Sequence, residues 1–134
     1  MRYTLFFLLI AFTLSAQAQS PARVVMHLQS SDTLVYKSIV NQIGNIKKEL
    51  PNAEIEVVCH GPGLEFLRKD KAFYVNKIQR MNLSQVSFVG CEYTMQQRNY
   101  KKEDLVPYAQ TVPYGLVEII KKQQADWIYV KLGF

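Results

Sequence analysis

Cys59, Cys91, His27 and His60 are the side chains of this chain best suited to chemistry. Cys91 lies in the run Val-Ser-Phe-Val-Gly-Cys-Glu-Tyr-Thr from Val86 to Thr94, whose alternating apolar start reads as a buried strand ending at Gly90 and Cys91. A thiol placed there stands at the carboxyl end of a strand, where open α/β sheets gather ligands and chemistry. Thr94 followed by Gln97 has the form of a capping box, so a helix is expected to begin at Thr94. The unpaired N–H groups of that helix would favour a thiolate at Cys91, the form in which a cysteine is a nucleophile. A second reading makes Cys91 a small buried apolar residue, and the residues alone support both.

The other three side chains carry similar alternatives. Cys59 ends a second strand and is either core or a disulfide partner of Cys91, a bond that needs Cα atoms within ~7 Å. His60 sits in His-Gly-Pro-Gly, a sharp exit from that strand, and could help ionise Cys91, bind an anion or be a structural hydrogen-bonding group. His27, near the end of a first strand, is a candidate for the same cluster. Gly61 and Gly63 could bring backbone amides to an oxyanion, or could serve only the turn. Cys91 and His60 are thus the candidate catalytic residues, and Gly61, Gly63, Thr94 and His27 the candidate ligand-binding ones. Arg98 could hold an anion near Cys91 or be an ordinary exposed charge. The spacing lacks the close pair of structural zinc sites, so no metal is expected.

The elements that must position these groups follow from hydrophobic pattern. Val24 to Leu28 reads as a first strand, and a Gln-Ser-Ser-Asp turn after it can cap a helix. Val35, Ile39, Ile43, Ile46 and Leu50 then form one helical stripe, with Lys37, Asn41, Lys47 and Lys48 largely off it. Ile55 to Cys59 is apolar after Glu56, as in a strand buried on both faces. Helical pieces bearing Leu64, Phe66, Leu67 and then Tyr74, Ile78 and Met81 lead to the strand of Cys91. Between Pro107 and Pro113 a short fourth strand or an extended connection is expected. Pro113 can open a last helix whose Leu116, Val117, Ile119 and Ile120 face the core, and Trp127 to Leu132 closes the chain as a strand. Trp127 and Tyr129 are expected to fill the core or an oligomer interface. Strands alternating with helical crossovers give a parallel sheet with helices on both faces.

The start of the chain is of another kind. Arg2, the apolar run Leu5 to Leu14 and the small-x-small triplet Ala16-Gln17-Ala18 read as a signal peptide over residues 1–18, leaving residues 19–134 as one domain. The expected location is periplasmic or secreted. No run approaches the ~20 apolar residues of a membrane crossing, so no stable membrane insertion is expected. The formal charge of +5 is spread over several segments, which argues against a nucleic-acid partner.

Four pieces in order resemble the DsrE/DsrF-like family of small sulfur-relay proteins: Val-Val-x-His-Leu at Val24 to Leu28, His-Gly-Pro-Gly-Leu at His60 to Leu64, the segment from Val86 to Thr94, and Val-Pro-x-Gly-x-x-Glu-Ile-Ile from Val112 with Gln124, Trp127 and Tyr129 beyond it. The resemblance implies a three-layer α/β/α fold with a parallel, about five-stranded sheet. It also implies homo-oligomers, trimers or hexamers, and places Cys91 where relatives hold a persulfide. The expected function is therefore that of an exported sulfur carrier or sulfurtransferase with a protein sulfur donor or acceptor and no cofactor. The alternative is a non-catalytic small-ligand-binding or assembly module.

Overall fold

The computed structural model describes residues 20–133, so the signal peptide read over residues 1–18 lies outside the described residues. Five strands, β1 (Arg23–Leu28), β2 (Glu54–Cys59), β3 (Val86–Cys91), β4 (Gln110–Val112) and β5 (Ile128–Leu132), form one sheet in the order β4-β3-β2-β1-β5. Every pairing is parallel, as the near-continuous apolar runs of β1 and β2 require. Four α-helices join them: α1 (Thr33–Glu49), α2 (Phe73–Arg80), α3 (Glu92–Gln97) and α4 (Gly115–Gln124). The result is the α/β architecture expected from the sequence.

Helix α1 starts where the polar turn allows, with the Asp32 carboxylate accepting from the Leu34 N–H at 2.8 Å. Its stripe of Val35, Ile39 and Ile43 is buried, whereas Leu50, at the end of the helix, is half-exposed. Lys47 departs from the expected off-stripe position. It is buried, and its ammonium donates to the Pro51 carbonyl at 2.5 Å and the Ala53 carbonyl at 2.8 Å. The aliphatic stem lies along the core while the head satisfies two carbonyls of the turn into β2.

The two faces of the sheet are covered unequally. On one side α1, α2 and the 3-10 segment Gly61–Leu67 pack against Met26, Leu28, Ile55, Val57, Cys59 and Phe88 to form the main core. On the other, α4 alone covers the centre, where Val25, Val58, Val89 and Ile119 are buried. Only Ile119 of the expected α4 stripe faces the sheet, and Leu116, Val117 and Ile120 are exposed. A single short helix crossing three strands presents one narrow ridge to them, so its remaining apolar residues turn outward. Lys122 fixes the far end of α4, donating to buried Glu56 at 2.7 Å with its ammonium 4.2 Å from the centre of the Trp127 ring. Between Pro107 and Pro113 the expected short strand forms as β4, paired at the sheet edge where its neighbouring prolines are tolerated.

Gly63 is required by contact. A β-carbon there would lie 2.1 Å from the Leu28 carbonyl oxygen at the end of β1. Gly61 has room but holds φ +53°, a left-handed backbone that other residues adopt at a cost. Gly63→Ala is therefore expected to cost about 2–3 kcal/mol of folding stability, and Gly61→Ala about 1–2 kcal/mol, in equilibrium denaturation.

Candidate functional site

Strand pairing decides which side chains meet. Cys59 is opposite Gly90 in the β2–β3 register, so Cys91, one residue further, points to the other face of the sheet. Cys59 enters the main core, and Cys91 faces α4. Both are free thiols, and the disulfide alternative is set aside by this geometry. Burial pushes the Cys59 thiol up, well out of the range of a nucleophile. The Cys91 residue is only 4% exposed, and its thiol points to the Pro113 carbonyl, Sγ···O 3.9 Å.

His60 follows β2 on the same face as Cys91. The first residue of α4, Gly115, lies between them, because a β-carbon on it would be 3.1 Å from His60 Cβ and 3.2 Å from Cys91 Cβ. A glycine at this point lets the helix end approach until both side chains flank it. His27, one strand over on β1, meets His60 head to head, Nε2 to Nε2 at 2.5 Å. The ring planes are within 15° of each other and the centroids 4.7 Å apart. With the nitrogens so close, these values place the rings nearly coplanar and edge to edge, the arrangement of a straight N–H···N hydrogen bond. His27 Nδ1 in turn lies 2.8 Å from the Tyr129 hydroxyl on β5. Tyr129 is the residue that sequence reasoning missed. A core or interface role accounts for its ring but not for its hydroxyl, and only the pairing of β1 with β5 brings it to His27.

The other expected site residues surround this cluster in different roles. Helix α3 begins at Glu92, two residues earlier than the capping box implied, because β3 runs directly into it. Thr94 therefore lies inside the helix, and its hydroxyl accepts from the Gly61 N–H at 3.0 Å. The Gly63 N–H donates to the His60 carbonyl at 3.0 Å. Both loop amides are thus engaged within the protein, and the bond from Gly61 ties the loop after β2 to the helix after β3. Arg98 is turned away from Cys91 and lies 3.3 Å from Glu65, which also binds Lys71 and Tyr100. Among the described residues no group of three or more His, Cys, Asp or Glu side chains is placed to hold a metal ion.

Burial lowers the proton affinity of both histidines, and for His27 the charges of His60 and Lys131 add to it. The pair is therefore uncharged near neutral pH, and its chemistry is that of imidazole. Stability carries the same sign. Histidines in the unfolded chain take up protons near 6.5, the folded pair only at lower pH, so the unfolded state binds more protons in that interval. The melting temperature is accordingly expected to fall as pH drops below ~6.5, and to fall less in the double variant His27→Gln, His60→Gln.

Residues 8–132 match the DsrE/DsrF-like family. Among solved structures, a protein of unknown function from Methanobacterium thermoautotrophicum, MTH1491, is similar to this chain with a TM-score of 0.77 and 25% sequence identity. The similarity covers 82% of this chain and 98% of that one. No curated protein matches the chain.

Proposed function

The chain belongs to the DsrE/DsrF-like family, and from that footing we propose that it is an exported sulfur carrier or sulfurtransferase that holds sulfur as a persulfide on Cys91. One observation supports this reading above the others. At the carboxyl ends of β2 and β3, Cys91 and His60 are brought against the same residue of α4, while Cys59 is enclosed on the opposite face. The chain thus has one thiol beside a polar group and one thiol without such a neighbour. Export rests on the leader-like residues 1–18.

The chemistry is a balanced exchange without net oxidation. The Cys91 thiolate attacks the outer sulfur of a donor persulfide, a bond forms between the two sulfurs, and the donor's S–S bond breaks to leave the donor thiolate. The proton of the donor's terminal –SH stays with the transferred sulfur. Delivery to an acceptor thiolate is the same step in reverse. Tyr93, two residues after Cys91, and Tyr114, next to Gly115, are both half-exposed, with ring centroids 5.9 Å apart. A cavity beside them is lined by Glu92, Gln96 and Pro113 as well. The donor and acceptor are proteins or small thiols that can reach a thiol as buried as Cys91.

Homo-oligomeric assembly, as a trimer or hexamer, is part of the same reading. Leu116, Val117 and Ile120 form an exposed apolar stripe on α4. A contiguous patch of this kind is covered in most proteins that carry one. Leu116→Lys with Ile120→Lys is expected to shift the protein to a monomer in analytical ultracentrifugation while leaving its circular dichroism unchanged.

For sulfur carriage the expected outcome concerns two variants incubated with a small-molecule persulfide donor. By intact-mass spectrometry Cys59→Ser should gain one thiol-removable sulfur as the parent chain does, and Cys91→Ser should gain none. Equal loading of Cys91→Ser and the parent would remove the claim.

A further inference from the structure

The contacts of His60 define its chemical state, and with it the part it can play beside Cys91. A neutral imidazole carries one N–H, so in a head-to-head pair one Nε2 donates and the other accepts. The direction is set at the outer end. A phenol is a better hydrogen-bond donor than acceptor and an imidazole nitrogen a strong acceptor, so Tyr129 O–H donates to His27 Nδ1 across their 2.8 Å contact. His27 then carries its proton on Nε2 and donates to His60 Nε2. His60, whose Nε2 accepts from His27, is left with its proton on Nδ1.

We propose that Tyr129 and His27 are positioning residues whose hydrogen bonds run one way, through His60, so that an uncharged His60 presents an Nδ1–H donor to the sulfur anion at Cys91. The inference rests on the reading of Cys91 as the reactive thiol. Of the parts open to His60 it selects hydrogen-bond donation to an anion, and it gives a role to the exposed Tyr129. The same donor suits each anion of the exchange, the Cys91 thiolate and the persulfide anion, because both carry their negative charge on sulfur, and His60 and Cys91 lie against the same glycine. Hydrogen bonds arranged donor to acceptor in one direction polarise one another, so the outer members strengthen the last.

The charged and titratable groups around the pair fit this arrangement. From β5 come Tyr129 and Lys131, the latter in register with His27, and its charge opposes protonation of that ring. From β3 comes Cys91. Helix α4 meets the site with Gly115, while its Glu118 and Lys122 are grouped with Glu56 at the opposite end of β2. Among the described residues no carboxylate is placed to pull His60 toward imidazolium, and neutral donation is the function left to it.

The test is the pH profile of Cys91 alkylation by iodoacetamide in the full chain, read by peptide mass mapping with buried Cys59 as the internal reference. Tyr129→Phe, which keeps the ring, is expected to slow Cys91 about threefold to tenfold near neutral pH. His27→Leu is expected to slow it about tenfold or more. Both should converge on the parent rate in alkali, where the thiolate forms unaided. His27→Gln, whose amide N–H can still donate to His60 Nε2, should retain most of the rate. Nitrogen-15 spectra of the labelled imidazoles should show His60 protonated at Nδ1. Parent-like rates in Tyr129→Phe and His27→Leu, equal slowing at all pH, loss in His27→Gln as large as in His27→Leu, or an Nε2 proton on His60 would each overturn the proposal. Should His27→Leu fail to fold, Tyr129→Phe and the spectra decide alone. Iodoacetamide carries no sulfur, so the two readings fail separately. Cys91 that follows this pattern yet loads no sulfur supports the relay and removes sulfur carriage, and loading without the pattern does the reverse.

Discussion

The pairing of Cys59 with Gly90 is the contact on which the site depends. In a sheet with period-two alternation, that one register sends Cys59 into the main core and places His60 and Cys91 together on the face of α4. A slip of β3 by one residue would turn Cys91 to the face of Cys59 and away from His60. Two glycines hold the register's consequence in place. Gly63 admits the Leu28 carbonyl, and Gly115 admits the β-carbons of His60 and Cys91. The loop after β2 is further tied to α3 by the bond from Gly61 to Thr94. The position of the thiol is therefore fixed by backbone pairing and close approach, with side-chain packing filling in around them.

Unequal covering of the sheet shapes both the site and the surface of α4. The main core is closed by two helices and a 3-10 segment, whereas the face that carries Cys91 and the two histidines lies under one helix of ten residues. Less cover leaves room for polar side chains at the strand ends, because groups at the edge of a thin layer need not be fully desolvated. It also leaves α4 with apolar residues on its outer surface. In the proposed assembly a partner subunit placed there would cover the helix whose Gly115 lies against Cys91.

Much of this was legible in the sequence, and what was not has a common cause. The strands, the α1 stripe of Val35, Ile39 and Ile43, its Asp32 cap and the position of Cys91 at a strand end all follow from local periodicity and turn chemistry. Lys47 was misread because a helical wheel records its angle and not the carbonyls of Pro51 and Ala53 that its long stem reaches. The start of α3 was misread because a strand entering a helix without a linker overrides a capping motif two residues on. The outward residues of α4 look apolar enough for core, and only the single layer they lie in shows otherwise. The Tyr129–His27–His60 chain joins three strands distant in sequence, and no local signal contains it.

The central claim is that the two thiols differ in kind, Cys91 carrying sulfur and Cys59 serving as core. Its most direct measurement is peptide-mapped mass spectrometry of the protein isolated from the cells that make it, without added donor and before any reductant. The account predicts an added sulfur on the peptide of Cys91, lost on treatment with a thiol, and an unmodified Cys59. Sulfur on Cys59, a bond linking the two peptides, or two unmodified thiols would contradict it.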